Sequence, residues 1–204
     1  MTGEKPARSP QLLSRSESRL IIVDVQERLW PVIQDKESLG TTIRFLVKAA
    51  SLLRIPIVVT EQYPKGLGRT IPELGLESER HTSLEKIRFS AAEVLQMRWT
   101  NAPREADTSG EQDVVHRQQI VLTGIEAHIC VQQTAFDLAA ADYDVFVVRD
   151  AVGSRRTIDL DTSLDRISSA GITVTTAESV VFEWCESAEA TEFKLLSQLV
   201  RQRS

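Results

Sequence analysis

Residues 121–155 read VLTGIEAHICVQQTAFDLAAADYDVFVVRDAVGSR. An apolar run closes at Thr123-Gly124, a helical pattern follows over 130–141, and a second apolar run, DVFVVRDAV, occupies 144–152. Strand, helix, strand in that order is the unit of a parallel sheet, because parallel strands need a crossover and the crossover is usually a helix. Runs that are apolar at every position, not every second one, suit strands covered on both faces.

The same alternation recurs on both sides of this stretch. SRLIIVDVQ at 18–26 is a buried strand ending at Asp24, and Ile43, Leu46, Val47, Ala50 and Leu53 give a helical spacing over 41–53. IPIVVTEQYP at 55–64 is a second strand, and KGLGRTIPELGL at 65–76 is a Gly- and Pro-rich surface loop. TSLEKIRFS at 82–90 is a weaker strand, a short helix follows over 91–99, and NAPREADTSGEQD at 101–113 is a polar connection. A helix over 159–170, a last strand ITVTTAES at 172–179 and a C-terminal helix marked by Phe193, Leu196 and Val200 complete the pattern. The expected fold is α/β: one domain over 19–204, a parallel sheet with helices on both faces, preceded by a flexible tail over 1–18. Ligands in such sheets bind beyond the carboxyl ends of the strands, so those ends hold the candidate site.

Bulk properties narrow the function. The 204 residues are 42% hydrophobic and 26% charged, ordinary for a soluble globular domain. A net charge of −5 without a basic run argues against nucleic acid or an anionic membrane as partner. No apolar stretch approaches the roughly 18 residues of a membrane span, and the N-terminus lacks a secretory apolar core. Two cysteines make no disulfide framework, and a cytoplasmic location keeping both thiols reduced is expected. No G-x-G-x-x-G follows the first strand, which counts against a dinucleotide oxidoreductase.

Three strand-end residues carry chemistry: Asp24 after the first strand, Lys86 in LEKIRFS, and Cys130 opening a helix after GIEAHI. A cysteine at a helix start beside a lysine is expected to have a lowered thiol pKa, and a carboxylate can take its proton. Together they are the parts of covalent acyl transfer. Spacing alone favours plainer readings: Cys130 as a small buried hydrophobe, Asp24 as a turn or cap, Lys86 as a solvated side chain.

The segments IIVDVQERLWP, VVTEQYPKGLG, EKIRFSA, LTGIEAHICVQQTAFDL and VFVVRDAVGSR, in that order, resemble the isochorismatase-like cysteine hydrolase superfamily, which also contains the nicotinamidases. The resemblance runs from about Arg19 to Val200, and EQYPKGLG points to the branch of isochorismatase-domain proteins without an assigned substrate. It implies a sheet of about six parallel strands, a triad falling on Asp24, Lys86 and Cys130, and a homo-oligomer acting on a small molecule. It also implies a cis peptide between Ile125 and Glu126, aiming the N–H groups of Glu126 and Cys130 at an oxyanion. Gly124 suits the sharp turn that precedes them.

The chain departs from the nicotinamidases, which hold a metal with an Asp and two His after the second strand. Here that loop reads Thr60-Glu61-Gln62-Tyr63-Pro64, and the histidines are His81, His116 and His128. No metal or other cofactor is expected, and without that cluster a pyridine nitrogen has no anchor. His128, two residues before Cys130, is a pocket candidate or a structural hydrogen bonder. Trp30, Tyr63 and Phe89 are candidates to frame the pocket, or ordinary packing. Cys185, beside Trp184, reads as inert. The leading expectation is hydrolysis of a small amide or related C–N bond through a Cys130 thioester. The alternatives are vinyl-ether hydrolysis of the isochorismate type with Asp24 as general acid, and a non-enzymatic protein-binding scaffold.

Overall fold

The apolar runs become the strands of one sheet. The computed structural model describes residues 8–76, 79–100 and 117–203. Its strands are β1 (Ser18–Val23), β2 (Ile57–Gln62), β3 (Thr82–Lys86), β4 (Gln119–Ile125), β5 (Asp144–Gly153) and β6 (Thr173–Thr175). All neighbours pair in parallel, in the order β3-β2-β1-β4-β5-β6. Every position of β1, β2 and β4 is buried, which is why their sequences do not alternate. Edge strand β3 alternates between half-buried and exposed positions until buried Lys86.

Side chains of a strand point to opposite faces in turn, so each strand feeds two cores. Leu20, Ile22, Ile57 and Val59 meet α1 (Lys36–Leu52), α6 (Ala177–Cys185) and α7 (Phe193–Arg203). Ile21, Val23, Val58 and Leu122 meet α3 (Ala92–Thr100), α4 (Gln132–Ala139) and α5 (Thr157–Ser169). The chain runs outward from β1 to β3 on one side and from β4 to β6 on the other. Strand order therefore reverses between β1 and β4, and the crevice beyond their carboxyl ends is the expected ligand position.

Several boundaries differ from the sequence reading. α1 starts at Lys36, five residues before the predicted 41, where Trp30 lies so close to Gly40 that a Cβ there would be 3.2 Å from the indole. The loop at 65–76 contains a short helix α2 (Pro64–Leu67) and a 3-10 turn (Pro72–Leu74), each started by a proline at its first position. β6 ends at Thr175, and the expected strand tail enters α6, whose first N–H, that of Ala177, donates to Asp150 Oδ1 at 2.8 Å. That cap comes from β5, so no local signal announces it. The tail boundary also moves. Leu13 is fully buried, its N–H donates to Glu183 Oε2 at 2.8 Å, and Ser18 already belongs to β1. Residues 1–7, the predicted connection at 101–113, and His116 lie outside the described residues.

Candidate active site

β1 ends because Asp24 turns the chain out of the sheet with φ 53°. Its side chain is fully buried at the switch point. One carboxylate oxygen accepts from Thr60 Oγ1 at 2.8 Å, and the other from Lys86 Nζ at 2.6 Å. Lys86 is the last residue of β3, two strands away, and its side chain is 1% exposed. The ammonium also donates to Gln62 Oε1 at 2.8 Å, Phe89 O at 2.8 Å and Arg88 O at 3.2 Å.

The third component comes from the far side of the switch point. Gly124 stays within β4, paired with Val152 beyond a register shift, but has φ 115°, and a Cβ there would stand 2.1 Å from Val23 O, so only glycine fits. The Ile125–Glu126 peptide that follows is cis. The chain then makes a π-helical turn, Ala127–Val131, before α4. Cys130 therefore sits inside that turn and not on the first residue of an α-helix. Thr134 holds it by donating to its carbonyl at 2.6 Å while accepting from the Ala91 N–H at 2.9 Å.

Asp24 and Lys86 both act electrostatically on the Cys130 thiol. The direction of its pKa reverses the sequence expectation. Burial, first of all, pushes it up to about 12, the Asp24 charge pushes the same way, and Lys86 pulls against them. Cys130 is 6% exposed, and the nearby cation is already engaged by a carboxylate at 2.6 Å. With its pKa held up in this way the thiol rests protonated, and a thiolate here requires that its proton be moved.

The rim is a second polar group. Glu126, 6% exposed, is paired with Arg155, whose Nε lies 3.0 Å from Oε1. His128 shares a hydrogen bond with Ser154 Oγ at 3.0 Å through Nδ1, which lies 3.9 Å from Glu126 Oε2. Ile125 is fully buried in the α1 core. Trp30 packs against that same core. Tyr63 and Phe89 are largely exposed. Tyr63 borders a cavity of about 430 Å³ that reaches Lys86 and includes Ile87, Val94 and Met97. A larger depression between α3 and α4 touches neither Asp24 nor Cys130.

Glu61, the penultimate residue of β2, has its oxygens taken. Oε1 accepts from the Thr70 N–H at 2.7 Å and Oγ1 at 2.9 Å, and Oε2 from Arg69 at 2.7 Å. Among the described residues no group of three or more His, Cys, Asp or Glu side chains could hold a metal. The sequence reading missed Gln26, Thr60 and Gln62. The period of two along β2 was a usable signal for the last two: Thr60 and Gln62 share a face, opposite Glu61. No local pattern marks Gln26.

Among the described residues no helix is long and apolar enough to cross a membrane. Residues 18–179 match the model of the isochorismatase domain. The chain is 35% identical over 193 residues to isochorismatase domain-containing protein 2 of Danio rerio, covering 94% of this chain and 91% of that one. It is 35% identical over 178 residues to isochorismatase domain-containing protein 1 of Salmo salar, covering 87% of this chain but 59% of that longer protein. A MAR1 ribonuclease from Caenorhabditis elegans superposes with a TM-score of 0.82 at 32% identity, over 93% of this chain and 92% of that one. The domain match spans the switch point and includes Asp24, Lys86 and Cys130, and the chain is a member of the isochorismatase family of hydrolases.

Proposed function

We propose that the protein hydrolyses a small amide or related C–N bond through a covalent thioester on Cys130. The observation that carries this reading is the buried Asp24–Lys86 pair, whose two charges both act on the buried Cys130 thiol. Asp24 takes the thiol proton, and the thiolate attacks the carbonyl carbon. The oxyanion rests on the N–H groups of Glu126 and Cys130. Asp24 returns the proton to the departing amine. A water, deprotonated by Asp24, then cleaves the thioester and releases the acid. No step needs a metal. The reaction belongs in a reducing compartment such as the cytoplasm, because Cys130 and Cys185 are free thiols and Cys130 has to stay unoxidised.

The test is a screen of small amides with intact-mass trapping of the acyl-enzyme. An adduct mapped to Cys130 and absent from Cys130→Ala is the expected result. Turnover that survives Cys130→Ala would instead favour vinyl-ether hydrolysis with Asp24 as the acid. RNA belongs in the same screen because of the name borne by the Caenorhabditis elegans neighbour. A net charge of −5 counts against binding a polyanion, and RNA cleavage lost in Asp24→Asn would overturn the amide reading. A homo-oligomer is part of the same proposal, supported by exposed Ile87, Phe89 and Met97. Sedimentation of a monomer at micromolar concentration would refute it.

A further inference from the structure

The Lys86 ammonium has four oxygens around it and three N–H groups to share among them. Two of the four, Arg88 O and Phe89 O, belong to the backbone just beyond β3. Asp24 is the anion of the proposed chemistry. The fourth, Gln62 Oε1, is a side chain with no other evident task, and it is itself held at every point. Gln62 Nε2 donates to Ile87 O at 2.6 Å, so the oxygen end of the amide is the end that faces the ammonium. A flipped amide would set NH2 against NH3⁺ and leave Ile87 O without this donor.

The Gln62 backbone is fixed as well. The last paired residues of β1 and β2 are Val23 and Thr60, because Asp24 then leaves the sheet. Gln62 should lack a strand partner on that side. Gln26, fully buried, supplies one with its side chain. Its Oε1 accepts from the Gln62 N–H at 2.8 Å, and its Nε2 donates to Gln62 O at 3.0 Å and to Gly68 O at 2.7 Å. A primary amide has the same donor and acceptor as a peptide group, so Gln26 continues the ladder across the break that Asp24 creates.

We propose that Gln62, braced by Gln26, is a positioning residue that anchors the Lys86 ammonium so that one cation serves two anions in turn. This rests on the Asp24–Lys86–Cys130 reading. At rest Lys86 pairs with the Asp24 carboxylate. When the Cys130 S–H bond breaks and an Asp24 O–H bond forms, the negative charge passes to sulfur and the site's net charge is unchanged. The cation is then needed by the thiolate. An ammonium held only by Asp24 would have nothing to keep it in place once that charge is neutralised. The contacts to Gln62 and the two carbonyls persist through the transfer. The charged groups bearing on the thiol are Asp24 from the end of β1 and Lys86 from the end of β3. Glu126 is engaged by Arg155, and Glu61 by Arg69.

The experiment is the rate of Cys130 alkylation by iodoacetamide from about pH 7 to about pH 11, bracketing an unperturbed thiol, read by peptide mass spectrometry on the full chain. Lys86→Met should displace the Cys130 profile to higher pH. Gln62→Met should displace it in the same direction by less, slowing labelling on the rising limb about three- to tenfold, where one pH unit corresponds to a factor of ten. Gln62→Glu keeps the shape but adds an anion, and should slow labelling more than Gln62→Met. It also carries the test if Gln62→Met fails to fold. A packing role alone would lower the melting temperature without moving the profile. Folded Gln62 variants with the wild-type profile, beside a displaced Lys86→Met, would overturn the proposal. An undisplaced Lys86→Met would instead overturn the triad reading beneath it.

Discussion

Asp24 and Glu61 stand near the carboxyl ends of adjacent strands, and both are buried, at 0% and 5% exposure. Each accepts from a threonine hydroxyl and from a cation. They differ in what else is near. The cation of Glu61 is Arg69, whose side chain is 67% exposed and also bridges to Glu85, and its remaining donor is the Thr70 backbone. Those partners cannot give up a proton, so Glu61 pins the loop after α2 to β2. The cation of Asp24 is buried Lys86, and a thiol completes its surroundings. In the proposed mechanism the difference between the two carboxylates is that Asp24 has a neighbour with a proton to give.

The largest expected difference between the two is in turnover. Asp24→Asn should lower hydrolysis of any substrate found by about 10²–10⁴-fold, the usual contribution of a general base. Glu61→Gln should stay within about threefold of wild type, in keeping with a residue remote from the chemistry. Equal losses would erase the contrast. Asp24→Asn should also make Cys130 easier to ionise, because the Asp24 charge is among the causes that push the thiol up. Alkylation of Cys130 should therefore speed up as turnover is lost, whereas general unfolding would expose Cys185 too.

Stability should separate the two cations next. Lys86→Met leaves the Asp24 charge buried and uncompensated, for which about 3–5 kcal/mol of destabilisation is typical. Arg69→Met removes a largely exposed partner and should remain within about 1 kcal/mol. Urea unfolding monitored by circular dichroism measures both, and a comparable loss for Arg69→Met would show that the loop staple matters as much as the buried pair.

Smaller effects lie in the pH dependence. Burial works to raise the Glu61 pKa, but the Thr70 N–H, the Arg69 side chain and the Thr70 hydroxyl outweigh it and hold it below the ordinary carboxyl value. A depressed folded pKa stabilises above the unfolded value, about 4.3, and that stability is lost as pH falls through the folded value. Glu61→Gln should flatten this acid limb of the urea midpoint. Cys130 has the opposite sign. Its folded pKa is raised, so its contribution is intact below about 8.5 and is lost as pH climbs toward the folded value of about 12. Cys130→Ala should flatten the alkaline limb, and an alkaline limb unaltered by that substitution would place the thiol in a less buried setting.

Local sequence was enough for the six strands, and it singled out Gly124 and the candidates Asp24, Lys86 and Cys130. Strands buried on both faces have to be continuously apolar, a strand residue at φ 115° packed against Val23 O admits no Cβ, and only a few side chains can act as nucleophile, base or cation. These are local properties of a residue or a short window. The rest depends on distances across the sheet. α6 starts where Asp150 from β5 caps it, and Leu13 is buried because Glu183 and the α1 core receive the segment that looks like a tail. The thiol pKa is raised, not lowered, because desolvation and the Asp24 charge outweigh a lysine already engaged at 2.6 Å. Gln26 acts as a strand partner only because Asp24 breaks β1 opposite Gln62. Coulomb energies and hydrogen bonds fall off over a few ångströms, so a difference between Asp24 and Glu61, both acids at strand ends, appears only once their neighbours are in place.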